Sequence, residues 1–153
     1  MSKAMRVKVD ITKFKERLNA LKEVFDNATR PAAQAGAQIV YERARQLAPV
    51  SDSAHMFKIE GRTYGPYPPG NLRDSIYQVF SKDNSFTDVS VYHVSWNADK
   101  APYGGMVEYG GMVEMGTSRA PAHSFIGRAV IETRAAVRAA IKQRYIDEVN
   151  SKL

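Results

Sequence analysis

Histidines, carboxylates and glycine-rich turns are the residues of this chain able to carry a reaction, and their spacing decides whether they do. His55, His93 and His123 fall in a proline-rich segment, an apolar β-type run and the turn before a helix, so no two share metal-ligand spacing. Glu108 and Glu114 are six residues apart. In an extended chain both would project to one face, as a carboxylate pair for acid–base or metal work requires. No histidine or aspartate motif stands beside them, which favours edge-strand charges that bind backbone donors or a neighbour's arginine. The run from Gly111 to Thr117 has the glycine spacing of a phosphate loop. It lacks the lysine that must reach the phosphates, and no buried apolar strand precedes it. No serine occupies a glycine-flanked nucleophile elbow. The expectation is a protein that is not an enzyme and needs no cofactor or metal.

The glutamates belong to a hexapeptide written twice, Tyr103-Gly104-Gly105-Met106-Val107-Glu108 and Tyr109-Gly110-Gly111-Met112-Val113-Glu114. A period of six is even, so a strand would align the Met and Glu side chains of both copies, whereas a helix would rotate one copy away from the other. Paired glycines weaken a helix by about 1 kcal/mol each relative to alanine. The segment from Tyr103 to Thr117 is therefore expected to supply a third strand and a possible fourth.

The elements that would hold these residues follow from apolar periodicity. Ile11, Phe14, Leu18, Leu21 and Phe25 recur at spacings of three and four, which predicts an amphipathic helix capped near Asp10 or Thr12. Asn27, Thr29 and Pro31 break the pattern. Thr29 is placed to cap a second helix with Pro31 in its first turn, running through Ile39 and Leu47 to Pro49. Residues 50–70, rich in Pro and Gly, predict a long inserted loop. Its Met56, Phe57, Ile59, Tyr64 and Tyr67 are too apolar for a linker and suit docking on a neighbouring subunit. Ser75 to Phe80 and Val89 to Trp96 predict an antiparallel hairpin. The second strand changes apolar parity between Val91 and Tyr92, which means a bulge or a sheet covered on both faces. A long helix opens near Pro121 to Ser124, with Ile126, Val130, Val137, Ile141 and Tyr145 on one face and Arg134, Arg138 and Lys142 as a basic row beside it. The expected fold is α+β: two N-terminal helices, a long loop, a small antiparallel sheet of three to four strands and a long C-terminal helix.

At 153 residues, the chain is expected to form one domain. It has no cysteine, which excludes disulfides and zinc–thiolate sites. Residues 1–10 are basic but lead into Lys13, Lys15, Glu16 and Arg17, where a signal peptide would need an apolar run. No apolar run approaches the roughly 20 residues that span a bilayer, so no membrane partner is expected. The net charge of +6 is unevenly placed. Residues 1–30 hold eight Lys or Arg against four Asp or Glu, residues 119–153 hold seven against three, and the middle holds seven against nine. Basic ends flank a slightly acidic middle, a polarity that suits a nucleic acid, an acidic partner ring or plain solubility.

Several short motifs occur in a recognisable order. Ala48-Pro49-Val50 closes a helix, Gly70-Asn71-Leu72-Arg73-Asp74-Ser75-Ile76 opens a strand, and Val113-Glu114-Met115-Gly116-Thr117 precedes Pro121-Ala122-His123-Ser124-Phe125 and Ala129. From about Ala32 to Ala136 the chain resembles the small neck or tail-completion proteins of tailed bacteriophages. That family is named after the gene-ten product of a lambdoid phage, and the lambda tail protein Z is a distant counterpart. Two departures stand out: segment 50–70 is longer than the usual link, and Ser124 replaces the proline of the family's Pro-Phe pair. Of the two hexapeptide copies, the second matches the motif, since it alone continues into Gly-Thr.

The resemblance implies a structural virion protein, assembled in the host cytoplasm into a homo-oligomeric ring at the head–tail junction. Its partners would be a head-closure or connector protein on one side and a tail terminator or tail tube protein on the other. Sixfold symmetry follows by analogy with tail tubes. Tyr64, Tyr67, Met106, Glu108, Met112, Glu114, Thr117 and Phe125 are the expected subunit or ring contacts, because obligate interfaces bury aromatic and methionine side chains. Arg134, Arg138 and Lys142 are the candidates to face DNA in the lumen. The alternative reading is a basic nucleic-acid-binding module, whose affinity would fall steeply with salt.

Overall fold

Helix α1, Thr12–Leu47, runs without interruption for 36 residues, about 54 Å, in the computed structural model, which describes residues 7–97 and 106–153. Its start is fixed by Asp10, whose carboxylate accepts the backbone N–H and the hydroxyl of Thr12 at 2.9 and 2.6 Å. Those bonds from Thr12 hold the Asp10 carboxyl below its usual range. The two expected N-terminal helices are thus one. Thr29 does not cap a second helix: its hydroxyl donates back to the Asp26 carbonyl at 2.8 Å, and Pro31 lies inside the helix. Packing outweighs the proline penalty of about 3 kcal/mol, since Ala28 and Ala32 are fully covered on either side of it.

The expected loop 50–70 is instead largely a hairpin, β1 (His55–Ile59) against β2 (Arg62–Tyr67). Glu60 and Gly61 both have positive φ, 48° and 81°, the geometry of a two-residue turn whose twist matches its strands. Phe57 stands opposite Tyr64 with the rings stacked at 5.5 Å. The aromatic residues that seemed available to a neighbour therefore make the hairpin's own inner face.

A short helix α2 (Asn71–Ser75) turns the chain into β3 (Ile76–Phe80), which pairs antiparallel with β4 (Tyr92–Trp96), the hairpin expected from the sequence. Ile76 pairs with Trp96, Gln78 with Val94 and Phe80 with Tyr92, and these positions turn toward α1 while Val79 and His93 are exposed. The parity change at Val91 and Tyr92 marks where β4 begins, so neither a bulge nor a doubly covered sheet is needed. Among the described residues there are two separate two-stranded sheets rather than one of three or four strands.

The expected strand in the hexapeptide repeat is a helix, α3 (Met106–Met115). Residues 103–105 of the first copy lie outside the described residues. In the second copy, Gly110 is buried because the indole of Trp96 lies on it. A Cβ there would come within 2.3 Å of Nε1. Close packing of the only tryptophan against the helix backbone offsets the poor helix propensity of glycine, which local propensity alone does not foresee. Helix α4 (Phe125–Asn150) then runs back antiparallel to α1, with Gly36 of α1 against Val137 and Ile141. Arg43 and Glu132 pair between the two helices at 2.6 Å. The core joins the end of α1, β2, α2, β3 and the start of α4 through Ala44, Tyr67, Leu72, Ile76 and Phe125. The architecture is α+β, as expected, with a long C-terminal helix.

Candidate functional site: joints, groove and arm

The motif from Val113 to Phe125 builds a joint between α3 and α4. Gly116 ends α3 at φ 80°, where a Cβ would meet the Ala122 backbone at 2.6 Å, so the chain turns sharply there. The turn brings Glu114 onto the first turn of α4. Its carboxylate accepts the Gly127 and Ile126 backbone N–H groups at 2.8 and 3.0 Å and the Ser124 hydroxyl at 2.7 Å. Burial pushes the Glu114 carboxyl up, but the bonds from Gly127, Ile126, Ser124 and Phe125 outweigh it and hold the group below its usual range. A carboxylate at the positive end of a helix dipole is also favourably placed. Glu114 is thus engaged within its own chain.

The Gly70 to Ile76 motif is a second joint. Leu72 and Ser75 are buried, and the Ser75 hydroxyl donates to the Leu72 carbonyl at 2.7 Å. Asp74 accepts from Arg73 and Arg45 at 2.9 and 3.0 Å, tying α2 to the end of α1. The Arg73 bond first, helped by the charges of Arg73 and Arg45, holds the Asp74 carboxyl low against the opposing effect of burial.

The other expected contact residues divide sharply. Tyr67 is 0 % exposed and Phe125 1 %, so both belong to the core of their own chain. Tyr64 is half-buried beside Phe57, which also stacks on Tyr67 and Tyr109 at 5.2 Å. Met106 and Glu108 have side chains outside the described residues. Met112 and Thr117 are exposed, as are Arg134, Arg138 and Lys142, and none of the last three is in an ion pair among the described residues. The histidines have different settings: His55 packs near the Tyr67 and Tyr109 rings, His93 is exposed on β4, and the His123 backbone N–H donates to the Val113 carbonyl. No group of three or more His, Asp or Glu side chains able to hold a metal occurs among the described residues.

Two surfaces escape a reading of single residues. The first is a groove of about 420 Å³ beside the end of α1, lined by Pro49, Phe57, Tyr109, Met112, Val113 and Pro121. Its residues come from four separate stretches of chain, so no local pattern announces it. The second is the start of α1. Ile11, Phe14, Leu18, Leu21, Phe25, Ala28 and Ala32 step by three and four, the seam of a two-stranded coiled coil. Helix α4 covers Ala28 and Ala32 and then ends, near Lys152. Beyond that point no other described element covers α1: every residue from Val7 to Glu23 is exposed, with Phe14 at 62 % and Leu18 at 48 %. The amphipathic stripe was legible, but its lack of a cover follows only from the relative lengths of α1 and α4.

A family model described as "Bacteriophage HK97-gp10, putative tail-component" matches residues 12–110. No curated protein matches the chain, and no solved structure does.

Proposed function

The chain belongs to the HK97-gp10-like family of bacteriophage tail components, and from that premise we propose that it is a structural protein of the head–tail junction that completes the neck or tail as a homo-oligomeric ring. The observation that carries this reading is the uncovered seam of α1. Phe14, Leu18, Leu21 and Phe25 form an apolar stripe on a helix that projects past the rest of the molecule, and contiguous apolar surface of that kind is a mark of an interaction site. The Gly70 to Ile76 motif, inside the matched residues, and the Val113 to Phe125 turn both act as joints of the fold, which suits a part whose work is shape. A ring between a head-closure or connector protein and a tail terminator or tail tube fits the basic ends and acidic middle. Sixfold symmetry would match that of the tube.

Deleting the gene from the phage that encodes it is the test. Filled heads and finished tails should accumulate unjoined, and added protein should join them. Joined, infectious particles formed without the protein would refute the reading. A second reading, DNA contact in the lumen, is favoured by the exposed row Arg134, Arg138 and Lys142, which has no carboxylate partner among the described residues.

A further inference from the structure

We propose that the uncovered arm of α1, residues 11–25, is one half of a coiled coil whose other half is a helix of a different protein, apolar along its own seam and acidic at the positions beside that seam. The inference rests on the junction reading, in which the chain meets head-side and tail-side neighbours, and deepens it by assigning the class of partner the arm takes. In heptad notation Ile11, Leu18 and Phe25 stand at a and Phe14 and Leu21 at d, a narrow seam along about 22 Å of helix. Side chains stepping in this way form a ridge. The surface that interlocks with such a ridge along its length is a second helix of the same spacing. The arm continues the stripe that α4 covers at Ala28 and Ala32, so a partner helix would lie along the line of α4, past its end near Lys152.

The flanking positions say which helix. Lys15 and Lys22 stand at e and Arg17 at g, all exposed, and none of them is in an ion pair among the described residues. Val24 fills the other g position, while Glu16 and Glu23 lie at f, on the opposite side of the helix. Asp10, just before the arm, is engaged with Thr12. Every charge beside the seam of the arm is therefore positive. A second copy is disfavoured by those charges: a parallel pair sets Arg17 against Lys22, and an antiparallel pair sets Lys15 against Lys22. A helix with Glu or Asp at its flanks turns each repulsion into an attraction in either orientation. A lipid surface is the poorer fit. An interfacial helix has a broad apolar face and a mainly cationic polar face, whereas this seam is narrow and Glu16, Glu23 and Asp26 occupy the polar side.

Binding of two synthetic helices to the purified full-length chain tests the class of partner. Both carry Leu at a and d over about three heptads; one has Glu at every e and g position and the other has Lys. By fluorescence anisotropy the Glu helix should bind at least about 10-fold more tightly than the Lys helix, since the pairs at Lys15, Arg17 and Lys22 change from repulsion to attraction. Lys15→Glu, Arg17→Glu and Lys22→Glu together should reverse that order. Phe14→Ala with Leu18→Ala should abolish binding of the Glu helix. All of these residues are exposed, so the circular dichroism of the folded chain should be retained. The wild-type comparison needs no variant and decides the matter even if one set misfolds. Equal binding of the two helices, binding of neither, or an order that the reversed charges leave unchanged overturns the proposal. Arm-dependent binding to phosphatidylserine vesicles that exceeds binding to the Glu helix assigns the arm to lipid and overturns it. Self-association that is lost in Phe14→Ala with Leu18→Ala assigns the arm to a second copy and overturns it too. The junction reading stands or falls separately, on whether heads and tails join without the protein.

Discussion

Ser124 occupies the N-cap position of α4 but makes no capping bond of its own. Glu114, ten residues earlier, supplies the missing acceptor from outside the helix. Removing it strands two backbone N–H groups at a partly buried helix start, a loss of about 1–2 kcal/mol. The sign with pH follows from its lowered folded-state pKa: the stabilisation is present above the ordinary value of 4.5 and is lost as pH falls through the lower folded value. Glu114→Gln should therefore be less stable than wild type by about 1–2 kcal/mol at pH 7. The gap should narrow as the pH falls below 4.5, read from urea unfolding at each pH. A gap that persists in acid would show that the charge of Glu114 does not stabilise the joint. The sequence singles out Glu114, yet its glycine-rich surroundings suggest a strand-edge contact. Nothing local says that the sharp turn at Gly116 folds the carboxylate back onto Ser124. Tyr67 and Phe125 carry a similar lesson, because an aromatic side chain signals burial without saying whether its own chain or a neighbour provides it.

At the scale of elements, periodicity is legible wherever the packing partner is local. The β3–β4 hairpin and α4 are visible as alternation and as three-four spacing, since each pattern lies within a single element. The break expected at Pro31 fails because burial of Ala28 and Ala32 against α4, more than a hundred residues away, outweighs the local penalty. That account makes a prediction. Pro31→Ala restores a backbone N–H to the helix interior and, after the loss of proline's restraint on the unfolded chain, should raise stability by about 1–2 kcal/mol. The melting temperature should rise by several degrees. An unchanged or lower value would mean that α1 uses the irregularity at Pro31 to fit α4. Misreading α3 has the same origin. Its glycines are poor helix formers individually, and only the Trp96 ring resting on Gly110 explains why one of them is there.

Across the whole molecule, charge and apolar surface are segregated along the length of α1. The arm is basic and apolar, the far end holds the groove, and α4 carries its arginine row between them. The unevenness of charge is plain in the sequence; that the arm is uncovered is not, because it depends on where α4 stops. If Arg134, Arg138 and Lys142 face DNA, reversing all three to Glu should reduce the magnitude of the salt slope of duplex binding, log K against log salt, by about 3 and leave self-association intact. Equal slopes for variant and wild type would assign the row to solvation alone. The chain's single tryptophan offers a way to keep such events apart. Trp96 is lodged between Gly110 of α3 and the Phe125 ring, 5.7 Å away, far from the arm. Its fluorescence should redden when the α3–α4 joint opens and hold its colour while intact subunits gather. Light scattering and emission colour, followed in one cuvette, would then time assembly and unfolding independently without an added dye.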